Sequence, residues 1–107
     1  MKVTFYGVRG SHPVPGPYTV RYGGNTTCVT VTKNIEGKTI RIILDSGSGI
    51  VNLGVDIMKN WKNEVQPLTM LFTHLHPDHT MEFPFFAPNY RPDTILNLYG
   101  MQALKMH

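Results

Sequence analysis

A nearly unbroken apolar run, Leu68 to Phe72, opens directly onto Thr73-His74-Leu75-His76-Pro77-Asp78-His79. A run of that length reads as a strand buried on both faces. Whatever fold contains it must end the strand where three His and one Asp, within six positions, share one space. Imidazole nitrogens and carboxylate oxygens are ligands for zinc and related divalent ions. His74 and His76, two apart, point the same way from an extended backbone, while Asp78 and His79 follow a bend stiffened by Pro77. The four side chains therefore divide into two pairs facing neighbouring metal positions. Two ions held about 3.5–4 Å apart would clamp a substrate and activate a bridging water. A His-rich polar loop is the competing reading, and four ligand-type side chains directly after a buried strand weigh against it.

Upstream, Val3, Phe5 and Gly7 alternate with Thr4 and Tyr6, the period-2 pattern of a half-buried strand. Gly7 to Gly24 is rich in Gly and Pro and predicts a long loop, of a kind that is often functional. Cys28–Thr32 and Thr39–Leu44 read as strands joined by a turn over Lys33–Lys38. Asp45-Ser46-Gly47-Ser48-Gly49 breaks the second of these and offers helix N-cap candidates. From Ile50 the apolar residues Val51, Val55, Met58 and Trp61 recur at helical spacing, predicting an amphipathic helix to about Asn63. Pro67 resets the chain. Asp78 to Phe86 predicts a short helix ended before Pro88, Thr94–Tyr99 a strand, and Met101–His107 the start of a further helix. Five strands and one good helix predict a β-rich α/β (α+β) arrangement with a mostly antiparallel or mixed sheet.

The chain has 107 residues, enough for a single small domain with a modest core. Its 41% hydrophobic and 16% charged residues exclude a long disordered tail. A net charge of +3 suits an anionic substrate, but the basic residues are scattered and mark no nucleic-acid footprint. A single cysteine, Cys28, excludes an internal disulfide and reads as a buried apolar filler. The N-terminus lacks a signal-peptide core, and no apolar stretch approaches the roughly 20 residues that cross a bilayer. A cytoplasmic protein with no membrane partner is the expectation.

Taken in full, Thr-His-x-His-x-Asp-His at Thr73–His79 resembles the signature of the metallo-β-lactamase superfamily, and Leu44-Asp45-Ser46-Gly47 fits that family's order of elements. Val8-Arg9-Gly10-Ser11, Pro13-Val14-Pro15-Gly16, Tyr22-Gly23-Gly24-Asn25-Thr26-Thr27-Cys28 and Phe83-Pro84-Phe85-Phe86-Ala87-Pro88 resemble its ribonuclease Z-like and cyclic-phosphodiesterase-like members. The resemblance implies the N-terminal half of a four-layer αββα sandwich, so that residues 1–107 form a single partial domain. It assigns His74 and His76 to one zinc ion, and Asp78 and His79 to a second, with Asp78 also close to the attacking water; manganese or iron are alternatives to zinc. Asp45 takes a catalytic supporting role, orienting a metal-site His through its other ring nitrogen, a role compatible with a helix N-cap. Family members supply further ligands from later segments that this chain does not hold, and Glu82 stands where relatives tend to have Gly. A half-sandwich would expose apolar faces and strand edges, which predicts a homodimer or a complementing C-terminal half.

The remaining candidates divide between function and structure. Gly23–Cys28 offers backbone N–H groups to an anion, although a tight turn into a strand is the commoner outcome. Arg9 and Arg21 are candidate phosphate contacts or simply solvated, His12 is a surface residue, and Phe83, Phe85 and Phe86 fit a core cluster better than a pocket wall. The functional expectation is a metal-dependent hydrolase acting on phosphodiesters, whether an anionic small molecule or RNA. Lactams and thioesters are the alternatives within that class. The rival from another class is a catalytically incomplete metal-binding or self-associating module of the same fold.

Overall fold

The computed structural model describes residues 1–61, 66–73 and 76–100. The chain runs β1 (Lys2–Gly7), β2 (Cys28–Ile35), β3 (Lys38–Leu44), α1 (Ile50–Lys59), β4 (Gln66–Leu71) and α2 (Pro77–Thr80). Two 3₁₀ turns, Phe83–Phe85 and Ala87–Tyr90, then lead to β5 (Thr94–Tyr99). The strands form one mixed sheet in the order β1-β2-β3-β4-β5. β1, β2 and β3 pair antiparallel, whereas β3–β4 and β4–β5 pair parallel. The architecture is mixed α+β. A parallel pair needs a crossover, and α1 supplies it between β3 and β4.

The hairpin joining β2 to β3 is tighter than the sequence suggests. Pairing continues to Ile35↔Lys38, leaving only Glu36 and Gly37 in the turn, with φ of 51° and 79°. Two consecutive left-handed residues define the type I′ geometry that matches strand twist. Asn tolerates that region better than Glu. Glu36→Asn should therefore stabilise the chain by about 0.5 kcal/mol, read as a higher urea midpoint at unchanged slope. A lower midpoint would show that this turn is not the one described.

Helix α1 differs from expectation in phase and in length. Its buried stripe is Ile50, Leu53, Gly54 and Ile57, while Val51 and Val55 face outward. The stripe still follows i, i+3, i+4, i+7, but it includes a glycine. A Cβ on Gly54 would lie 3.1 Å from the Ala87 nitrogen and 3.2 Å from Phe86 Cδ1, so the bare backbone is what lets the 3₁₀ turns approach. The helix ends at Lys59 rather than Asn63, and residue 63 lies outside the described set. Trp61 just beyond it donates its indole N–H to Asp93 at 2.9 Å, and the Arg91 guanidinium stacks on the ring.

The helix expected over Asp78–Phe86 is also corrected. Only one turn forms, and the chain continues as two 3₁₀ turns with Pro84 and Pro88 as their second residues. Proline has no N–H to donate to a continuing α-helix, so each one restarts the chain. Phe86 nevertheless enters the core with Cys28, Ile43, Ile50, Leu53, Ile57, Leu68 and Met70, and Phe83 packs against it. Phe85 is exposed.

All of this core lies on one face of the sheet. Along β4, Leu68 and Met70 are buried, but Thr69 and Leu71 are only half-buried, so the strand is covered on one side and not on both. Cross-strand register places Phe5, Val29, Leu44, Leu71 and Tyr99 in one row across the opposite face. Val3, Val31 and Ile42 share a second row. Phe5 is 66% exposed and Tyr99 58%. The strand edges are β1 and β5.

Candidate functional site

Strands β3 and β4 run parallel and end side by side, so whatever follows them meets outside their carboxyl ends, where open α/β sheets place ligand sites. Asp45 follows β3 and Thr73 follows β4. Asp45 adopts φ 65°, a left-handed conformation that Asp tolerates better than most residues and that reverses the chain at the strand end. Its N–H still donates to the Leu71 carbonyl at 2.8 Å, while its side chain, 1% exposed as a residue, turns toward β4.

Among the described residues, the Asp45 carboxylate accepts three hydrogen bonds. Thr73 N–H reaches Oδ1 at 2.8 Å, Thr73 Oγ1 reaches Oδ2 at 2.7 Å, and His79 Nδ1 reaches Oδ2 at 2.7 Å. A buried carboxylate needs such partners. Because an ionised carboxylate only accepts, the bond fixes the His79 tautomer with its proton on Nδ1. The alternative of a helix N-cap is corrected: the cap position of α1 is Gly49, and Asp45 is committed to Thr73 and His79.

Held this way, His79 brings Nε2 to 3.3 Å from Asp78 Oδ2. With the proton on Nδ1, the Nε2 lone pair lies beside a carboxylate oxygen, a pair of groups of the kind that ligates a divalent ion. Zinc binds imidazole nitrogen and carboxylate oxygen at about 2.0–2.2 Å, so ligands on adjacent tetrahedral vertices stand about 3.4 Å apart. The His79–Asp78 separation fits one such edge. Among the described residues no group of three or more His, Cys, Asp and Glu side chains is arranged to hold a metal ion. His74 lies outside the described residues, and His76 is exposed, its carbonyl accepting the His79 N–H at 2.9 Å. Of the expected ligands, the described structure thus joins Asp78 and His79, with Asp45 behind them.

The supporting loop Asp45–Gly49 is clamped from both sides. Ser46 N–H donates to the His79 carbonyl at 2.7 Å, and Glu82 N–H to the Ser46 carbonyl at 3.3 Å. From the other side Thr26 N–H donates to Ser48 Oγ at 2.8 Å, and Ser48 N–H to Thr26 Oγ1 at 2.7 Å. Gly47 N–H donates to the Thr27 carbonyl at 2.9 Å. Residues 25–27 therefore lock the site loop in place, so this part of the Gly-rich stretch is a structural turn and not an anion cradle. Thr73 is the residue whose role the spacing alone did not reveal. Its signal was its place at the strand end, one residue before the first His.

The loop expected over Gly7–Gly24 is irregular, with one isolated bridge from Arg9 to Thr26. Arg9 donates to the His12 carbonyl at 3.0 Å, and His12 is exposed. Arg9 and Arg21, separate in sequence, line one open cleft of about 310 Å³ with Gly10, Tyr18, Tyr22 and Gly23. Arg21 also stacks on Tyr22 at 5.2 Å.

Cys28 lies beneath the site, fully buried. Burial, reinforced by the Asp45 charge, pushes its thiol up to about 12. The thiolate is the nucleophile, so Cys28 should resist maleimide labelling at pH 8 in the folded chain and react after denaturation. Rapid labelling without denaturant would show that this layer opens readily.

No protein-family model, no curated protein and no solved structure matches the chain. Among the described residues, no helix is long and apolar enough to cross a membrane.

Proposed function

We propose that the chain is a metal-dependent hydrolase of metallo-β-lactamase type, related to the ribonuclease Z-like and cyclic-phosphodiesterase-like branch, acting on phosphodiesters. The observation that carries this reading is the Asp45–His79–Asp78 relay. A buried carboxylate fixes the tautomer of a histidine whose second nitrogen sits one coordination edge from another carboxylate. Orienting a ligating His through its far nitrogen is the usual support of a metal site.

In this reading His79 and Asp78 hold one zinc ion, and His74 and His76 a neighbouring one. The metal supplies Lewis-acid polarisation of the phosphoryl group and lowers the pKa of water. The protein's own part is positional. Asp45 keeps His79 from rotating, and Asp78 would take the proton of the attacking water in this reading. Arg9 and Arg21, which line one cleft, favour an anionic ester over a lactam.

The exposed apolar face of the sheet supports a covering partner, a second copy or a complementing half that would also add ligands. A second reading, a catalytically incomplete metal-binding or self-associating module, is favoured by the convergence of only two candidate ligands among the described residues.

Metal content and solution mass, measured together on the purified chain, separate the two. About two metals per complete site in a larger assembly, with turnover of a chromogenic phosphodiester, is the expected result. Single or weak occupancy without turnover would leave the incomplete module. A lone chain, or an assembly holding no metal, would end the enzyme reading and leave a truncated relative of the same fold.

A further inference from the structure

Asp78 receives a contact that the ligand pattern does not predict. The main-chain N–H of Ser11, 67 residues away in sequence, donates to Asp78 Oδ2 at 3.1 Å. This is the same oxygen that faces His79 Nε2. Ser11 points its N–H there by adopting φ 73°, in the left-handed region that serine rarely occupies. The Arg9 Nε bond to the His12 carbonyl closes the segment around it, and Arg9 N–H donates to the Asn25 carbonyl at 3.0 Å, tying the segment to the β2 approach. The conformation is therefore held from outside, as a strained residue requires.

We propose that Ser11 is a positioning residue, whose backbone N–H fixes the rotamer of Asp78 and presents its carboxylate to the metal beside His79. The inference rests on the metal-site reading above. What matters at position 11 is the amide and a left-handed backbone, not the hydroxyl. The neighbour Gly10 lines the cleft that holds Arg9 and Arg21, so the same segment links the metal ligand to the surface where an anionic substrate would enter.

Four variants and three measurements test it. Ser11→Pro removes the N–H and forces φ negative. It should weaken zinc binding about tenfold, as loss of a ligand's hydrogen-bonding partner does. Ser11→Ala and Ser11→Gly keep the N–H and should retain the parent's affinity, with Gly also relieving the backbone. Zinc affinity is read by competition with a chromophoric chelator, alongside the melting temperature.

Amide hydrogen exchange on the metal-free chain supplies a readout that needs no metal. The Ser11 amide should be protected in the parent and lose protection in Asp78→Ala. A Ser11 amide unprotected in the parent overturns the proposal even if Ser11→Pro fails to fold. Folded Ser11→Pro with parental zinc affinity overturns it as well. A parent chain that protects Ser11 yet binds no zinc keeps the anchor and overturns the metal-site reading instead.

Discussion

The Asp45→Asn variant is expected to bind zinc about 10- to 100-fold more weakly than the parent chain. The substitution keeps size and shape, and its amide oxygen can still accept the Thr73 N–H. Its amide nitrogen, however, now faces Thr73 Oγ1 and His79 Nδ1, both within 2.7 Å of the carboxylate oxygen it replaces. A donor there turns His79 Nδ1 into the acceptor and moves the ring proton to Nε2, where it points at Asp78. The nitrogen that should carry a lone pair then carries hydrogen. A stability loss of about 1–3 kcal/mol accompanies this, from a buried network that no longer matches its partners. Chelator competition on the folded variant checks the first effect and a urea titration the second. Parental zinc affinity in Asp45→Asn would show that Asp45 supports the fold alone.

Gly47→Ala tests how tightly the site loop is seated. A Cβ at this buried position would stand 2.3 Å from the Asp78 carbonyl oxygen and 2.4 Å from Thr26 Oγ1. The first is backbone and cannot rotate away, so residues 45–49 must part from the segment that holds the ligands. The expected cost is about 3 kcal/mol or more. For a chain of this size that is a fall in melting temperature on the order of 15 °C. A melting temperature within roughly 3 °C of the parent would mean that the loop has slack the distances do not suggest.

The elements readable from sequence were those whose pattern is local. Strands over 28–32, 39–44 and 94–99 follow from β-branched and apolar runs, though pairing extends the first two toward a two-residue turn, and α1 follows from helical spacing. The phase of α1 was misread because counting large apolar residues selects Val51 and Val55, whereas the packed stripe admits Gly54 for its lack of a side chain. The helix after His79 was overextended because Pro84 and Pro88 each act as a start and not only as an end. At the site, the residue types in Thr73–His79 point to metal chemistry, and the sequence allows Asp45 two compatible roles. Only the parallel pairing of β3 with β4 brings it to Thr73 and His79. Nothing local could have selected Ser11, whose part is played by its backbone from a loop far upstream.

The separations along the chain that build this site carry a kinetic meaning. The β2–β3 hairpin closes across two residues, whereas Asp45 and His79 are 34 apart and Ser11 and Asp78 are 67 apart. Loop-closure entropy favours the hairpin as the early structure and leaves the relay to form once β4 has docked beside β3. Substitutions in the relay should consequently speed unfolding far more than they slow refolding, while Glu36→Asn should accelerate refolding. Stopped-flow measurements of both limbs would reveal this, and a relay variant that slows refolding most would place the site in the folding nucleus instead.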